Sequence, residues 1–230
     1  MLADHNAEVP EFRRLAAAVA ARYAPSGRLA RGYVAGKLRH DPVHRAVLAL
    51  GGAEGLGEVV DIGCGRGQLG VALLLAERAR AVLGIDLPGP RLDQAARAGA
   101  AFGLSVAARD LARDPTVPAG DTMLIVDVLY QLPRPAQRAL LAAAAAAARV
   151  RVLVRTLDPG LGWRSALTVG LERASRRFSP HAGATVDPVP VAELAAVLQA
   201  AGFAVRVDPC WQGTPFANVL LNAQRLASPP

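Results

Sequence analysis

Gly65-Arg66-Gly67-Gln68-Leu69-Gly70 reproduces the glycine spacing of a dinucleotide-binding turn. It follows Val59-Val60-Asp61-Ile62-Gly63-Cys64, a short apolar stretch containing one acid, and it precedes an apolar helical run. Glycines in that place let the backbone turn tightly and let a ligand approach main-chain N–H groups at a helix N-terminus. The chemistry implied is nucleotide binding, and the turn alone leaves the nucleotide open. Other chemistries find little support. No residues have metal-ligand spacing, and no Gly-x-Ser-x-Gly elbow is present. Cys64 in the turn and Cys210 near the far end suggest neither a disulfide framework nor a zinc site, and Cys64 reads as a small apolar filler. His5, His44 and His181 read as surface residues. His40 stands apart, inside the ionisable cluster Gly36-Lys37-Leu38-Arg39-His40-Asp41-Pro42, where an imidazole could work as a base near neutral pH.

These residues need a scaffold, and the chain is long enough to supply one. At 230 residues and 52% hydrophobic content it fits one domain with a decorated edge. The longest uninterrupted apolar run, 139–148, is too short to span a bilayer. The start, Met1-Leu2-Ala3-Asp4-His5, lacks the basic opening and apolar run of a signal peptide. The expectation is a cytoplasmic protein with no membrane span. The net charge of +7 comes from arginine, since Lys37 is the only lysine. It reads as compositional drift on a solvated surface ahead of attraction to nucleic acid. No specific nucleic-acid partner is expected, and the oligomeric state is not legible.

Residues 10–50 read as helices: one from Glu11 to Tyr23 ended by Pro25-Ser26-Gly27, one from Arg28 to Arg39, and one opened by Asp41-Pro42 and running to Leu50. Gly51, Gly52 and Gly55 read as a flexible joint. Strands and helices then alternate, with strands at 58–62, 81–86, 104–109, 121–128 and 149–156, and helices at about 67–79, 90–100 and 134–148. Such alternation predicts a parallel sheet with helices on both faces. Helices at about 163–178 and 191–201 follow. The segments 203–208 and 216–223 are joined too closely for a parallel crossover, so the last strand should be antiparallel. The expected fold class is α/β, a doubly wound, seven-stranded, mostly parallel sheet with an antiparallel terminal hairpin strand. Residues 1–52 would form an N-terminal helical lid and 53–225 the nucleotide-binding domain.

With these motifs in order, residues 55–223 resemble the class I S-adenosylmethionine-dependent methyltransferases. The resemblance rests on Asp61-Ile62-Gly63-Cys64-Gly65-Arg66-Gly67, on Gly84-Ile85-Asp86-Leu87, on Ala108-Arg109-Asp110-Leu111, on the fourth-strand segment from Leu124 to Pro133, and on the terminal hairpin. It implies S-adenosylmethionine as cofactor. Gly63, Gly65 and Gly67 would admit its methionine and ribose portions. Asp61 would order the turn or meet its ammonium, and Asp86 beside Leu87 would accept from both ribose hydroxyls. Asp110 would accept from the adenine amine while Leu111 packs beside the ring. Asp127 either meets the methionine end or only ends its strand.

The acceptor should lie at the carboxyl ends of the strands. Tyr130, Asp158 and Trp163 are candidates there, with Tyr23, Tyr33, Lys37, Arg39 and His40 contributed by the lid. His40 is the expected base and Tyr130 an orienting group, because an unperturbed phenol is a poor base near neutrality. The resulting expectation is methyl transfer to a small molecule, in bacterial secondary or lipid-like metabolism, with no metal. A faint likeness to small methyltransferases of polyketide or aryl-polyene pigment assembly points the same way. The alternatives are an RNA methyltransferase, a nicotinamide-dependent oxidoreductase, which the hairpin argues against, and a catalytically silent cofactor-binding partner.

Overall fold

A computed structural model describes residues 5–100, 102–176 and 186–227. His181, the end of the helix expected to reach 178, and Pro180 and Gly183 of the expected loop lie outside the described residues. Seven strands form one sheet in the order β3-β2-β1-β4-β5-β7-β6, and the chain divides into two compact units, 1–108 and 109–230.

The first unit holds helices α1 (His5–Ala21), α2 (Arg28–His40) and α3 (Val43–Gly51), followed by β1 (Glu58–Ile62), α4 (Gln68–Leu75), β2 (Ala81–Asp86), α5 (Pro90–Gly99) and β3 (Leu104–Ala108). The valines and isoleucine of β1 are all buried, as a strand covered on both faces requires. β1 pairs in parallel with β2, Val60 opposite Leu83, and β2 with β3. α2 turns Ala30, Val34 and Leu38 inward. Asp41 caps α3 as its position before Pro42 predicts, its Oδ1 accepting from the Val43 N–H at 3.2 Å. The expected joint is tightly bonded: Gly52 N–H donates to Ala49 O and Gly55 N–H to Gly51 O. His44 departs from its expected place. It is 2% exposed, with Nδ1 3.3 Å from Asp41 O, because α3 turns that face inward with Val43 and Val47.

The second unit comprises β4 (Gly120–Val126), α6 (Arg134–Ala147), β5 (Ala148–Leu157), α7 (Trp163–Arg176), α8 (Val191–Ala200), β6 (Phe203–Pro209) and β7 (Asn218–Arg225). β4 and β5 are parallel, whereas β7 runs antiparallel to both its neighbours, β5 and β6. The alanine run forms the last turns of α6, and Ala144 and Ala145 are fully buried, small enough to bring the helix close to its strands.

Two glycines of the first unit, Gly67 and Gly84, are set by contacts within it. A Cβ on Gly84 would lie 2.7 Å from Cys64 Sγ, and one on Gly67 would lie 2.8 Å from Ala95 Cβ on α5. Cys64 therefore fills the space that Gly84 leaves. We expect Gly84→Ala to destabilise the protein by about 1–3 kcal/mol, the usual cost of overpacking. Adding Cys64→Ala should recover part of that loss, giving a coupling of about 0.5–3 kcal/mol in a double-mutant cycle read from urea midpoints.

Candidate functional site

Four backbone donors of the turn between β1 and α4, those of Gly63, Cys64, Gly65 and Gly67, have acceptors close by. Gly63 N–H and Cys64 N–H both donate to Ile85 O, at 2.7 and 3.1 Å, and Gly67 N–H donates to Cys64 O at 2.8 Å. Gly65 N–H donates to Asp86 Oδ2 at 2.6 Å, and Leu87 N–H donates to the other oxygen at 2.7 Å. Gly63, Gly65 and Gly67 take φ of +75°, +59° and +71°, the left-handed region that a side chain resists. A Cβ on Gly65 would meet nothing within 4 Å, so its smallness leaves open space, whereas Gly67 is required by the packing of α5. Asp86 thus fastens the turn with one acceptor site on each oxygen and keeps further lone pairs for a ligand.

Asp61 is the exception in this ordered turn. It is 3% exposed and makes no hydrogen bond or ion pair among the described residues. Burial, with the neighbouring Asp86 charge second, pushes its carboxyl up to about 7. The side-chain oxygen of Gln68, at the start of α4, is likewise buried without a hydrogen bond. A buried carboxyl and an amide oxygen without partners fit a cationic, hydrogen-bond-donating ligand such as the ammonium end of S-adenosylmethionine. Burial also drives the Cys64 thiol far up, with Asp61 and Asp86 adding to it, so this cysteine stays neutral and serves as filler.

The N-terminal residues reach the turn directly. Tyr23 is fully buried, and its hydroxyl donates to Arg66 O at 2.6 Å. Burial first, then the nearby Cys64 and Asp61, raises its pKa and keeps it a donor. Tyr33 is 48% exposed and lies 4.7 Å beneath the Arg66 guanidinium, which also donates to Gln94 Oε1. Lys37 pairs with Asp41 at 3.1 Å. Arg39 and His40 are exposed and line a cleft of α1, α2 and the start of α3 with Phe12, Arg13 and Arg45. Among the described residues no group of three His, Cys, Asp or Glu could hold a metal ion, and no helix is long and apolar enough to cross a membrane.

Solved structures share this architecture. Magnesium protoporphyrin IX methyltransferase from Synechocystis PCC 6803, crystallised with bound SAH, is 22% identical over 80% of this chain and 82% of its own, with a TM-score of 0.62. The pyocyanin biosynthetic protein PhzM is 24% identical over 85% of this chain but only 58% of its own, with a TM-score of 0.60. The N-methyltransferase NodS from Bradyrhizobium japonicum WM9, in complex with SAH, is 15% identical over 80% and 85%, with a TM-score of 0.58. The chain has the fold of these methyltransferases. No protein-family model and no curated protein matches it.

In the second unit the expected site residues are mostly engaged in shaping loops. Asp110 accepts from Ala112 N–H at 3.1 Å and sits 3.4 Å from Arg113 Nε, a turn-forming role, and Leu111 beside it is 7% exposed. Asp127 has a φ of +59° and pairs with the buried Arg155 at 3.0 Å. Tyr130 is 2% exposed among Leu157, Val186 and Val169, so its ring is part of the core. Asp158 accepts from Gly160 N–H at 2.8 Å, and its main-chain oxygen accepts from Ser165 Oγ at 2.6 Å, which ties the loop to the start of α7. Trp163 stands 65% exposed, with the Arg164 guanidinium 5.1 Å from its ring. Sequence reasoning missed Arg66, Gln68 and Arg155. The first two lie inside the quoted motif, but their letters do not specify a partner. Arg155 sits in a strand and carries no motif.

Two outcomes test this geometry. Asp61 in the folded protein keeps its proton up to about pH 7, and the unfolded chain releases it near 4. The native state therefore binds more protons between those values, so this group's contribution to stability falls as pH rises from about 4 to about 7 and is flat above. Asp61→Asn should gain stability on wild type steadily as pH rises from about 4 to about 8, by on the order of 1–4 kcal/mol across that range in urea titrations. Tyr23→Phe should cost about 0.5–1.5 kcal/mol through loss of its bond to the turn.

Proposed function

We propose that this chain binds S-adenosylmethionine at the β1–α4 turn and transfers its methyl group to a small-molecule acceptor. The observation that carries the reading is the partnerless buried carboxyl of Asp61 beside a turn whose Gly65 leaves open space. The fold supports it, because solved structures of that fold hold SAM, SAH or both SAM and a hydroxynaphthoic acid. Two proteins of that fold are named for pyocyanin biosynthesis and neocarzinostatin biosynthesis, which supports a small-molecule acceptor here.

The cofactor supplies a methyl on a positively charged sulfur, already activated for in-line displacement. The protein is left with holding, orienting and drying the reactants. Asp61 would compensate the ammonium, the Asp86 carboxylate would accept from ribose hydroxyls while holding Gly65, and Leu87, 38% exposed, would line the same edge. Asp110 and Leu111 are assigned to the adenine, and Asp127 to closing the strand end. Residues 1–52 would act as an acceptor cap on the 53–225 domain, which the contacts of Tyr23 and Tyr33 with Arg66 support. His40 is assigned as the base for a hydroxyl acceptor, with Asp158 and Trp163 on the acceptor side. A cytoplasmic location is part of the proposal.

Titration calorimetry decides the reading. SAM and SAH should bind and nicotinamide dinucleotides should not. Asp61→Asn should weaken SAH binding by about 1.5–3 kcal/mol, as expected for a hydrogen bond to a charged group. Gly65→Ala should fold with a cost of about 1 kcal/mol yet lose binding. Undiminished SAH affinity in both variants would remove the site assignment. Once an acceptor is known, His40→Ala should lower turnover by about 10²–10⁴-fold.

A further inference from the structure

A cleft of about 680 Å³ opens among α1, α2 and the first turn of α3, and the basic side chains lining it are Arg13, Arg39, His40 and Arg45, with no acid among the described residues that line it. α2 adds Arg28, Arg31 and Lys37 and contains no acidic residue at all. Elsewhere the guanidiniums are largely engaged. Arg134 pairs with Asp187, Arg138 with Glu193 and Arg149 with Asp121, while Arg22 donates to Ala98 O and Arg225 to Ala145 O and Ala148 O. Arg13 and Arg39 have no such partner among the described residues, and Arg45 lies 4.5 Å above the Phe12 ring. Three clustered guanidiniums repel one another, and no acid among the described lining residues offsets that repulsion.

The floor of the cleft is apolar. Phe12, Ala16, Ala17 and Ala35 contribute to it, together with Gly32 and Gly36 one turn apart on α2. Glycine weakens the middle of a helix, so two in one short helix need a reason. Packing within the protein does not provide it, because a Cβ on either would meet nothing within 4 Å. Their effect is to deepen the cleft. Its volume falls in the range of sites for small organic molecules. The same helix carries Tyr33 at the glycine turn, and the seven-residue step from Tyr33 to His40 covers about 10 Å along it.

We infer that this cleft binds an organic anion, an apolar body bearing a carboxylate or phosphate, and that this group is the acid end of the methyl acceptor. Guanidinium forks match both groups in geometry, and the apolar floor accepts the body. The second half of the inference rests on the methyl-transfer reading, and the first half does not.

The test uses the full chain and three fluorescent probes of similar body: 1-hydroxy-2-naphthoate, 1-naphthyl phosphate and neutral 1-naphthol. The two anions should bind at least ten times more tightly than the naphthol, and added salt should weaken them alone. Arg39→Ala and Arg45→Ala should each weaken the anions about ten- to hundredfold, the range for a charge-assisted bond, and leave naphthol binding as it was. Arg39 is exposed and without a partner, so its removal should leave the thermal midpoint unchanged and report on binding alone. Arg39→Lys should restore part of the affinity. The preferred anion tells carboxylate from phosphate. Equal binding of anion and naphthol, no binding of any probe, or anion affinity unmoved by both substitutions would overturn the site. SAH binding is measured in the same samples. SAH bound without anion selectivity overturns only this cleft, and anion selectivity without SAH overturns the methyl-transfer reading instead.

Discussion

The Asp86 carboxylate joins the ends of two strands, and the shape of the glycine turn depends on it. One oxygen takes the N–H of Gly65 at 2.6 Å and the other takes the N–H of Leu87 at 2.7 Å. Gly63 and Cys64 donate to Ile85 O, and Gly67 to Cys64 O, so these donors are also engaged within the turn. Asp61 receives none of these bonds among the described residues. Burial first, and the Asp86 charge second, move its acidity toward neutrality. The carboxylate that holds the turn thus also raises the pKa of its neighbour.

The turn is also braced from the N-terminal side. Tyr23 donates to Arg66 O, and Tyr33 lies under the Arg66 side chain. Both residues precede the first strand, so the helices that open the chain are fixed against the glycine turn by a hydrogen bond and a ring contact. A buried tyrosine hydroxyl without this acceptor would be costly, which makes the contact specific. The basic cleft belongs to the same helices, on the sides of α1 and α2 that do not face the core.

In the second unit the ionisable residues mostly serve loop geometry. Asp127 takes a left-handed backbone conformation, unusual for a residue other than glycine, and Arg155 pairs with its carboxylate from within β5. Asp187 is gripped at both oxygens by Arg134, and its N–H donates to Tyr130 O, which helps bury Tyr130 beside Val186. These side chains are polar, and several sat in the quoted motifs. Their partners show them to be parts of the scaffold.

The sequence by itself determined the order and type of the elements. Apolar β-branched runs specified the strands, proline and glycine marked the ends, and the short link before residue 218 required an antiparallel hairpin. The acids at 61 and 86 were also legible, because a strand end followed by glycines is a local pattern. Only the tertiary structure decided that β7 inserts between β5 and β6, because strand neighbours are chosen by packing across the sheet and leave no local mark. It alone decided that His44 is buried and that Asp61 has no partner among the described residues. The spacing within α2 set which of its faces is apolar, but what gathers around Arg39 and His40 is brought there by α1 and α3. A side chain's type is written in the chain. Its burial and its partners are set by residues distant in sequence, and those decide whether a charge is scaffold, ligand site or solvent.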